Sequence, residues 1–512
     1  MEGLFNAINN VFGFVTPISD ALWDFPKNFD WWANIPVLGN FSLALILLIG
    51  SGIFFSFKLG FIQVTHFNRT VKYLAKKEEH RTGISPLAAF FLSTAMRVGP
   101  GNIIGVTGAI VAGGPGALFW MWISAFFGMA TAYIEATLAQ IFKEKKGTEF
   151  VGGLPFYGRR LLGNSAAVGV ILCVIYLLYA VGCLPSQGSY SVTAIGTIVD
   201  TIAGTQMPSN SPFYYIVGIL VIALVAVIAF GGIKRVTKFT DMAVPVMAVV
   251  YFLVVIVMIV INFDQIPYFF SSVFGGAFKP EAIFGGAFGT ALAQGVKRGL
   301  MSNEAGQGTI TMSAAASDAD HPCSQGCIAS VGVFLDTIVI CTLTGFIIVM
   351  SHLWTSVNDF ADIDRLQYFQ ISISGLKPGE PFTVVVSVLL LVCFMLFAFT
   401  TLLGMFSFSE IAGSRISQKK GWITTIHIVD LAICAFGILS KIAGYDLSQI
   451  WAFSDLANIC IVFCNIPILY VGFRYVMKAT KHYKKHDGTP FTSEVAGIKE
   501  HLYWDDKAQG NG

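Results

Sequence analysis

Charged residues are scarce in this chain. Asp, Glu, Lys and Arg make up 12% of its 512 residues against 55% apolar ones, with a mean hydropathy of +0.69 and a formal net charge of +2. Soluble domains carry about 25% charged residues, so this composition excludes an ordinary globular domain. Disulfides are not indicated: Cys173, Cys183, Cys341, Cys393, Cys434, Cys460 and Cys464 lie in apolar runs, where a thiol is a small apolar group. His321, Cys323 and Cys327 lie close together but lack a fourth ligand at metal-binding spacing. An intramembrane enzyme would need a Ser/His pairing or a His-rich helix motif, and neither is present. A single asymmetric chain also lacks the repeated selectivity residues of a channel. No basic stretch precedes an apolar core at the N-terminus, so a cleaved signal peptide is not expected.

What the chain has instead is long apolar runs. Windows of about 20 residues, the length that crosses a bilayer, fall at 40–57, 86–111, 116–142, 165–203, 213–231, 240–262, 281–302, 324–350, 383–411, 422–440 and 449–473. These eleven windows predict an all-α polytopic membrane protein. The run at 165–203 exceeds one upright helix, so either it tilts strongly or Pro185 divides it. Lys and Arg gather in alternate loops, at 58–81, 143–160, 234–238, 415–420 and 474–485, while the opposite loops hold Lys27, Lys279, Arg365, Lys377 and Lys441. Cytoplasmic loops carry the excess of basic residues, which predicts the N-terminus outside and the tail inside. The segment 351–382 mixes Asp359, Asp362, Asp364 and Glu380 with aromatics and reads as an external amphipathic cap. The tail from 476 is polar and basic, and reads as a flexible, solvated end near anionic lipid that transport can dispense with.

One window is interrupted at its centre by Arg97-Val98-Gly99-Pro100-Gly101-Asn102. Two glycines around a proline free backbone groups from helical bonding, which at membrane depth is tolerated only inside protein or beside water. A second interrupted span runs through Gly285-Gly286, Gly289 and Gln294 to Gly299, then Ser302 to Gly308. Setting the first window aside makes these the first and sixth of ten core helices, so each opens a unit of five, the second inserted upside down. Half-helix N-termini suit a carboxylate, and bare carbonyls with hydroxyls suit a small hard cation. Thr400 and Thr401 fall on the eighth core helix, which packs against the first in such a fold. Ionisable groups within spans cost about 2.5–3.5 kcal/mol each and mark functional candidates. Arg97, Glu135, Asp336, His427, Asp430 and Asp455 qualify, and Arg97 is expected to pair with Glu304 or Asp336. For Glu135, His427, Asp430 and Asp455 a static polar network and a proton path stay open.

The motifs Arg97 to Ile103 with Gly105-Val106, Gly113-Gly114-Pro115-Gly116-Ala117 with Phe119-Trp120-Met121-Trp122, and Arg298-Gly299 with Ser302 to Gly306 resemble the alanine or glycine:cation symporter family. The similarity runs from about residue 40 to 475 and carries several long motifs in order. It implies the leucine-transporter fold: an inverted repeat of five plus five helices with one extra leading helix. The implied organisation is an external N-terminal segment (1–39), the leading helix (40–62), two repeats (86–262 and 281–475) and a cytoplasmic tail (476–512). The implied substrate site is Gly99, Pro100, Gly101 and Asn102 with Gln187, Gly295 and Val296, walled by Thr401 and Met405. The implied sodium site takes carbonyls of Ala95, Val98 and Phe397 and the hydroxyls of Thr400 and Thr401. Two residues depart from the family pattern: Pro100 stands where Thr is usual, removing an N–H, and Met405 where Trp is usual. The expectation is sodium-coupled symport of alanine or glycine, or a somewhat larger neutral amino acid, across the plasma membrane. Proton coupling and amino acid exchange are the alternatives. No cofactor and no nucleic-acid partner are expected.

Overall fold

Glycine and proline set where this chain stops being helical. The computed structural model describes residues 13–35, 38–74, 83–278, 287–355, 363–445, 448–485 and 489–510. An amphipathic helix α1 (Val15–Asp24) precedes a short apolar helix α2 (Leu43–Leu59). Next come α3 (Pro86–Arg97) and α4 (Gly101–Gly113), bent by 49° at their junction. The long helices α5 (Gly116–Ile141), α6 (Ala166–Ala203), α7 (Pro212–Ala229) and α8 (Ile233–Ile261) follow. A second pair, α9 (Ala287–Asn303) and α10 (Thr311–Ala316), leads to α11 (Pro322–Met350). The short α12 (Arg365–Ser374) precedes α13 (Phe382–Gly413), α14 (Lys420–Ile442) and α15 (Ser448–Lys485), and α16 (Tyr503–Ala508) lies near the C-terminus.

By length and composition, eight described helices can cross a membrane, and the bent α3–α4 pair makes a ninth. The apolar windows at 40–57 and 281–302 correspond to α2 and α9, which fall outside that set. Ile216, Ile219, Leu220 and Leu224 on α7 and Val249, Leu253 and Val260 on α8 are exposed, an apolar belt suited to lipid. Pro185 does not divide α6: the helix is continuous over 38 residues, about 57 Å at 1.5 Å per residue, so it tilts or overshoots the bilayer. The groove left at Pro185 is filled by α14, where a Cβ on Gly437 would lie 2.3 Å from Pro185 Cα. α6 packs against α13, α14 and α15, and α5 against α9 and α11, while α3 packs against α8, α13 and α11 and α4 against α9.

At one face of the bundle, Ile84 joins the start of α3 to the end of α10: its N–H donates to Ala316 O (3.1 Å) and its carbonyl accepts from Asp318 N (2.9 Å). A hairpin of β1 (Glu144–Lys146) and β2 (Glu149–Val151) lies beside it, with Gly83 N–H on Thr148 O. The tail, expected to be flexible, is seated in this layer. Trp504 is 2% exposed and its indole N–H donates to Gln140 O, while Lys507 Nζ lies 2.8 Å from Asp318 Oδ1. The expectation failed because it weighed the basic residues and overlooked Phe491, Tyr503 and Trp504, whose buried rings anchor the segment.

The cap is represented by α12, whose start Asp364 holds through its carboxylate on Leu366 and Gln367 N–H; Asp359 and Asp362 lie outside the described residues.

Candidate substrate and cation site

The first break forms where the expected sequence falls. Ser85 caps α3 through Ala88 N–H and Pro86 starts it, and the chain leaves helical geometry at Val98 (φ −78°, ψ 83°). Gly99 N–H reaches Arg97 O at 2.9 Å and Asn102 Oδ1 at 2.8 Å, and Asn102 N–H reaches Gly99 O at 3.0 Å. Pro100 has no N–H, and Gly101 donates none of these bonds, so the turn offers Gly101 N–H at the start of α4. Asn102, expected beside the substrate, is fully buried. Its Nδ2 donates to Asp336 Oδ1 (2.6 Å) and Ser302 Oγ (3.1 Å), so its amide braces the break from behind.

The second break lies later than the glycine-rich run suggested. α9 is unbroken from Ala287 to Asn303, and Gly285-Gly286 lie outside the described residues. Gly295 and Gly299 serve close packing on α5: a Cβ there would lie 2.3 Å from Ala117 O and 2.5 Å from Ser124 Oγ. Val296 is buried with Leu45 and Leu292. The side chains α9 sends to the cavity are Gln294, Arg298 and Met301. The coil itself is Glu304 to Ile310, with positive φ at Glu304, Gly306 and Gly308. Glu135 Oε1 accepts the N–H groups of Gly306 (3.1 Å) and Gly308 (2.9 Å), and Asn465 Nδ2 donates to Gly306 O at 2.9 Å. Arg97 forms no ion pair with Glu304 or Asp336; its Nε–H donates to Asn303 O at 3.0 Å, where the end of α9 presents a bare carbonyl. Glu304 accepts from Thr309 Oγ1 instead.

Of the oxygen atoms expected around a cation, those of Thr401, Ala95 and Phe397 come together, with Thr400 beside Phe397. Thr401 Oγ1 lies 2.9 Å from Ala95 O on α3 and 2.8 Å from Phe397 O on its own helix, and Thr400 Oγ1 lies 3.2 Å from the same Phe397 carbonyl. Val98 is fully buried one turn on. These donors are neutral oxygens, a set that fits a small hard monovalent cation. Gly99 faces them: a Cβ at this position would lie 2.7 Å from Thr401 Oγ1.

A cavity of about 870 Å³ reaches Gly99, Pro100, Gly101, Gln187, Thr401 and Met405, and extends to Ser209, Asp364, Lys441 and Tyr445 at the face opposite the tail. Sequence reasoning missed Tyr179, Arg298, Met301, Ser454 and Asn458 on its walls. Their signals were present: Tyr179, Cys183, Ser186, Gln187 and Tyr190 recur at helical spacing along α6, and Ser454 and Asn458 are four apart on α15.

The family model of sodium:alanine symporters matches residues 30–495. The chain is 31% identical to the amino-acid carrier protein AlsT of Bacillus subtilis, over 99% of this chain and all of that one. It is 34% identical to the probable sodium/glutamine symporter GlnT of Bacillus subtilis, over 87% and 88% of the two chains. It is 32% identical to the sodium/alanine symporter AgcS of Methanococcus maripaludis, over 86% and 94%. Among solved structures, MhsT in complex with L-phenylalanine aligns with a TM-score of 0.50 at 12% identity, over 84% of this chain and 95% of that one. A manganese transporter from Eremococcus coleocola aligns with a TM-score of 0.51 at 10% identity, over 83% and 91%. The fold is thus the leucine-transporter fold, and the relatives are named as transporters rather than enzymes. The chain is a multi-pass membrane transporter that belongs to the sodium:alanine symporter family.

Proposed function

We propose that this protein couples sodium entry to uptake of a small neutral amino acid by alternating access, through two inverted repeats at 86–262 and 281–475. The observation that carries the reading is the meeting of Thr401 with the Ala95 and Phe397 carbonyls, directly beside Gly99 at a break that faces the cavity. The substrate carboxylate takes Gly101 N–H and the positive end of α4, and its ammonium group takes acceptors at the same level, Gln187 among them. Sodium takes the threonine and carbonyl oxygens, so each solute helps to order the backbone the other uses.

Basic loops mark the tail-bearing face as cytoplasmic, which makes the cavity mouth external and this conformation outward-facing. The site lies in the plasma membrane, with the N-terminus outside. One sodium carries about 2.3 kcal/mol per 100 mV and about 1.4 kcal/mol per tenfold gradient, enough together for about several-hundred-fold accumulation. Alanine or glycine is the first substrate to test. Met405 in place of a larger wall residue, and a relative named for glutamine, favour including larger neutral amino acids.

Uptake of labelled alanine into proteoliposomes rises steeply with external sodium. Equal uptake in potassium removes sodium coupling from the reading. A proton-coupled version has support in a relative from Bacillus sp. named as a sodium/proton-dependent alanine carrier, 29% identical over 85% of this chain and 97% of that one. Uptake driven by an imposed pH gradient without sodium identifies it.

A further inference from the structure

Asp336 lies on no wall of the cavity, yet it is fully buried among the elements that form both breaks. It falls in a π-helical stretch of α11, Phe334–Cys341, whose wider turn redirects side chains at functional sites. Three donors converge on its carboxylate: Asn102 Nδ2 at 2.6 Å, Ser302 Oγ at 2.7 Å and Thr337 Oγ1 at 2.7 Å. Thr337 in turn accepts from Asn303 Nδ2 at 3.2 Å. One carboxylate thus holds the residue after the first break and the last two residues of α9 before the second.

The far side of Asn102 makes this anchor consequential. Its amide is oriented by Asp336, and the oxygen on the other end accepts Gly99 N–H at 2.8 Å. Gly99 N–H is thereby withdrawn from any ligand and Gly99 is held close to Thr401, while Gly101, on the cavity wall, keeps its N–H out of these bonds. We infer that Asp336 is a positioning residue: acting through Asn102, it sets the backbone geometry at Gly99 to Gly101 that binds the amino acid. With asparagine at 102, an acid at 336 suits the site because it accepts from all three donors at once, and charge-assisted bonds are about twice as strong as neutral ones. This rests on the proposed amino acid transport only for its functional readout.

The test is an exchange of the two groups. Asp336→Asn weakens the brace, and uptake shows KM for alanine raised about tenfold with kcat within about threefold of the starting protein. Asn102→Asp alone sets two buried carboxylates face to face and is worse. Asn102→Asp combined with Asp336→Asn restores both bonds, since the amide at 336 donates to the carboxylate at 102, which still accepts Gly99 N–H. KM then returns to within about threefold of the starting value. Hydrogen exchange of the segment 98–104 without substrate gives a second readout: faster in Asp336→Asn, protected again in the exchange. Unchanged KM and protection in Asp336→Asn overturn the inference, as does a folded double variant no better than Asn102→Asp alone. Restored protection in a protein whose unaltered form takes up no alanine sinks the transport reading and leaves the positioning role standing.

Discussion

The two broken helices use glycine and proline for opposite ends. At the first, Gly99, Pro100 and Gly101 line the cavity, and Gly101 N–H is kept off the internal bonds. At the second, the coil Glu304 to Ile310 turns its amides inward, where Glu135 and Asn465 satisfy Gly306 and Gly308. The first is backbone that lines a cavity, offered to a solute in the function proposed above, and the second is backbone fastened to protein. Freed peptide groups in a membrane must find partners. The partners found here separate a cavity wall from a joint.

The sharpest way to break that contrast is at the first break. A methyl group at Gly99 meets Thr401 Oγ1 at 2.7 Å, whereas at Gly101 nothing lies within 4 Å. Gly99→Ala should abolish uptake at any sodium concentration, while Gly101→Ala should retain it within a few-fold of the starting rate, measured at equal protein in proteoliposomes. Equal loss in both would mean that the two glycines serve the turn alone. Thr401→Ala comes next, because it removes the hydroxyl between the α3 and α13 carbonyls. The sodium concentration for half-maximal uptake should rise about tenfold or more, in keeping with the loss of one ligand-grade contact. Thr400→Ala, whose hydroxyl bonds within its own helix, should shift it far less.

At the second break the expected effect is on stability. Glu135→Gln keeps an oxygen for Gly306 and Gly308 but loses the charge that strengthens both bonds. Thermal unfolding in detergent should show a loss of about 1–3 kcal/mol, with KM for alanine little changed. A large rise in KM without loss of stability would make this coil part of the binding surface and erase the distinction.

The first break was legible in the sequence because Gly-Pro-Gly within an apolar run admits few other readings, and the threonine pair because consecutive hydroxyls in a span are conspicuous. The second was displaced because glycine has two uses in membrane helices, unwinding and close approach, and sequence alone does not separate them. Gly295 and Gly299 proved to be contact glycines against Ala117 and Ser124. The brace of Asn102 was out of reach, since its partner Asp336 is 234 positions away and only folding unites them. The tail was misjudged for the same reason: Trp504 finds Gln140 across 364 positions.

The smallest effect belongs to the closed layer opposite the cavity. His321 Nδ1 accepts Cys323 N–H at the start of α11, so Nε2 carries the proton and donates to His482 Nδ1 at 3.2 Å. Burial, with the neighbouring His482, holds the His321 imidazole neutral down to about 3. The unfolded chain binds that proton below about 6.5, where the folded one refuses it, so acidification through this window favours opening of the layer. His321→Asn keeps an acceptor for Cys323 N–H and removes the titration. The difference in thermal midpoint between the starting protein and the variant should therefore change steadily as pH falls from 7 to 4, to the disadvantage of the starting protein. Parallel pH profiles would show that this histidine takes up its proton alike in the folded and unfolded chain, and that the layer does not exclude it.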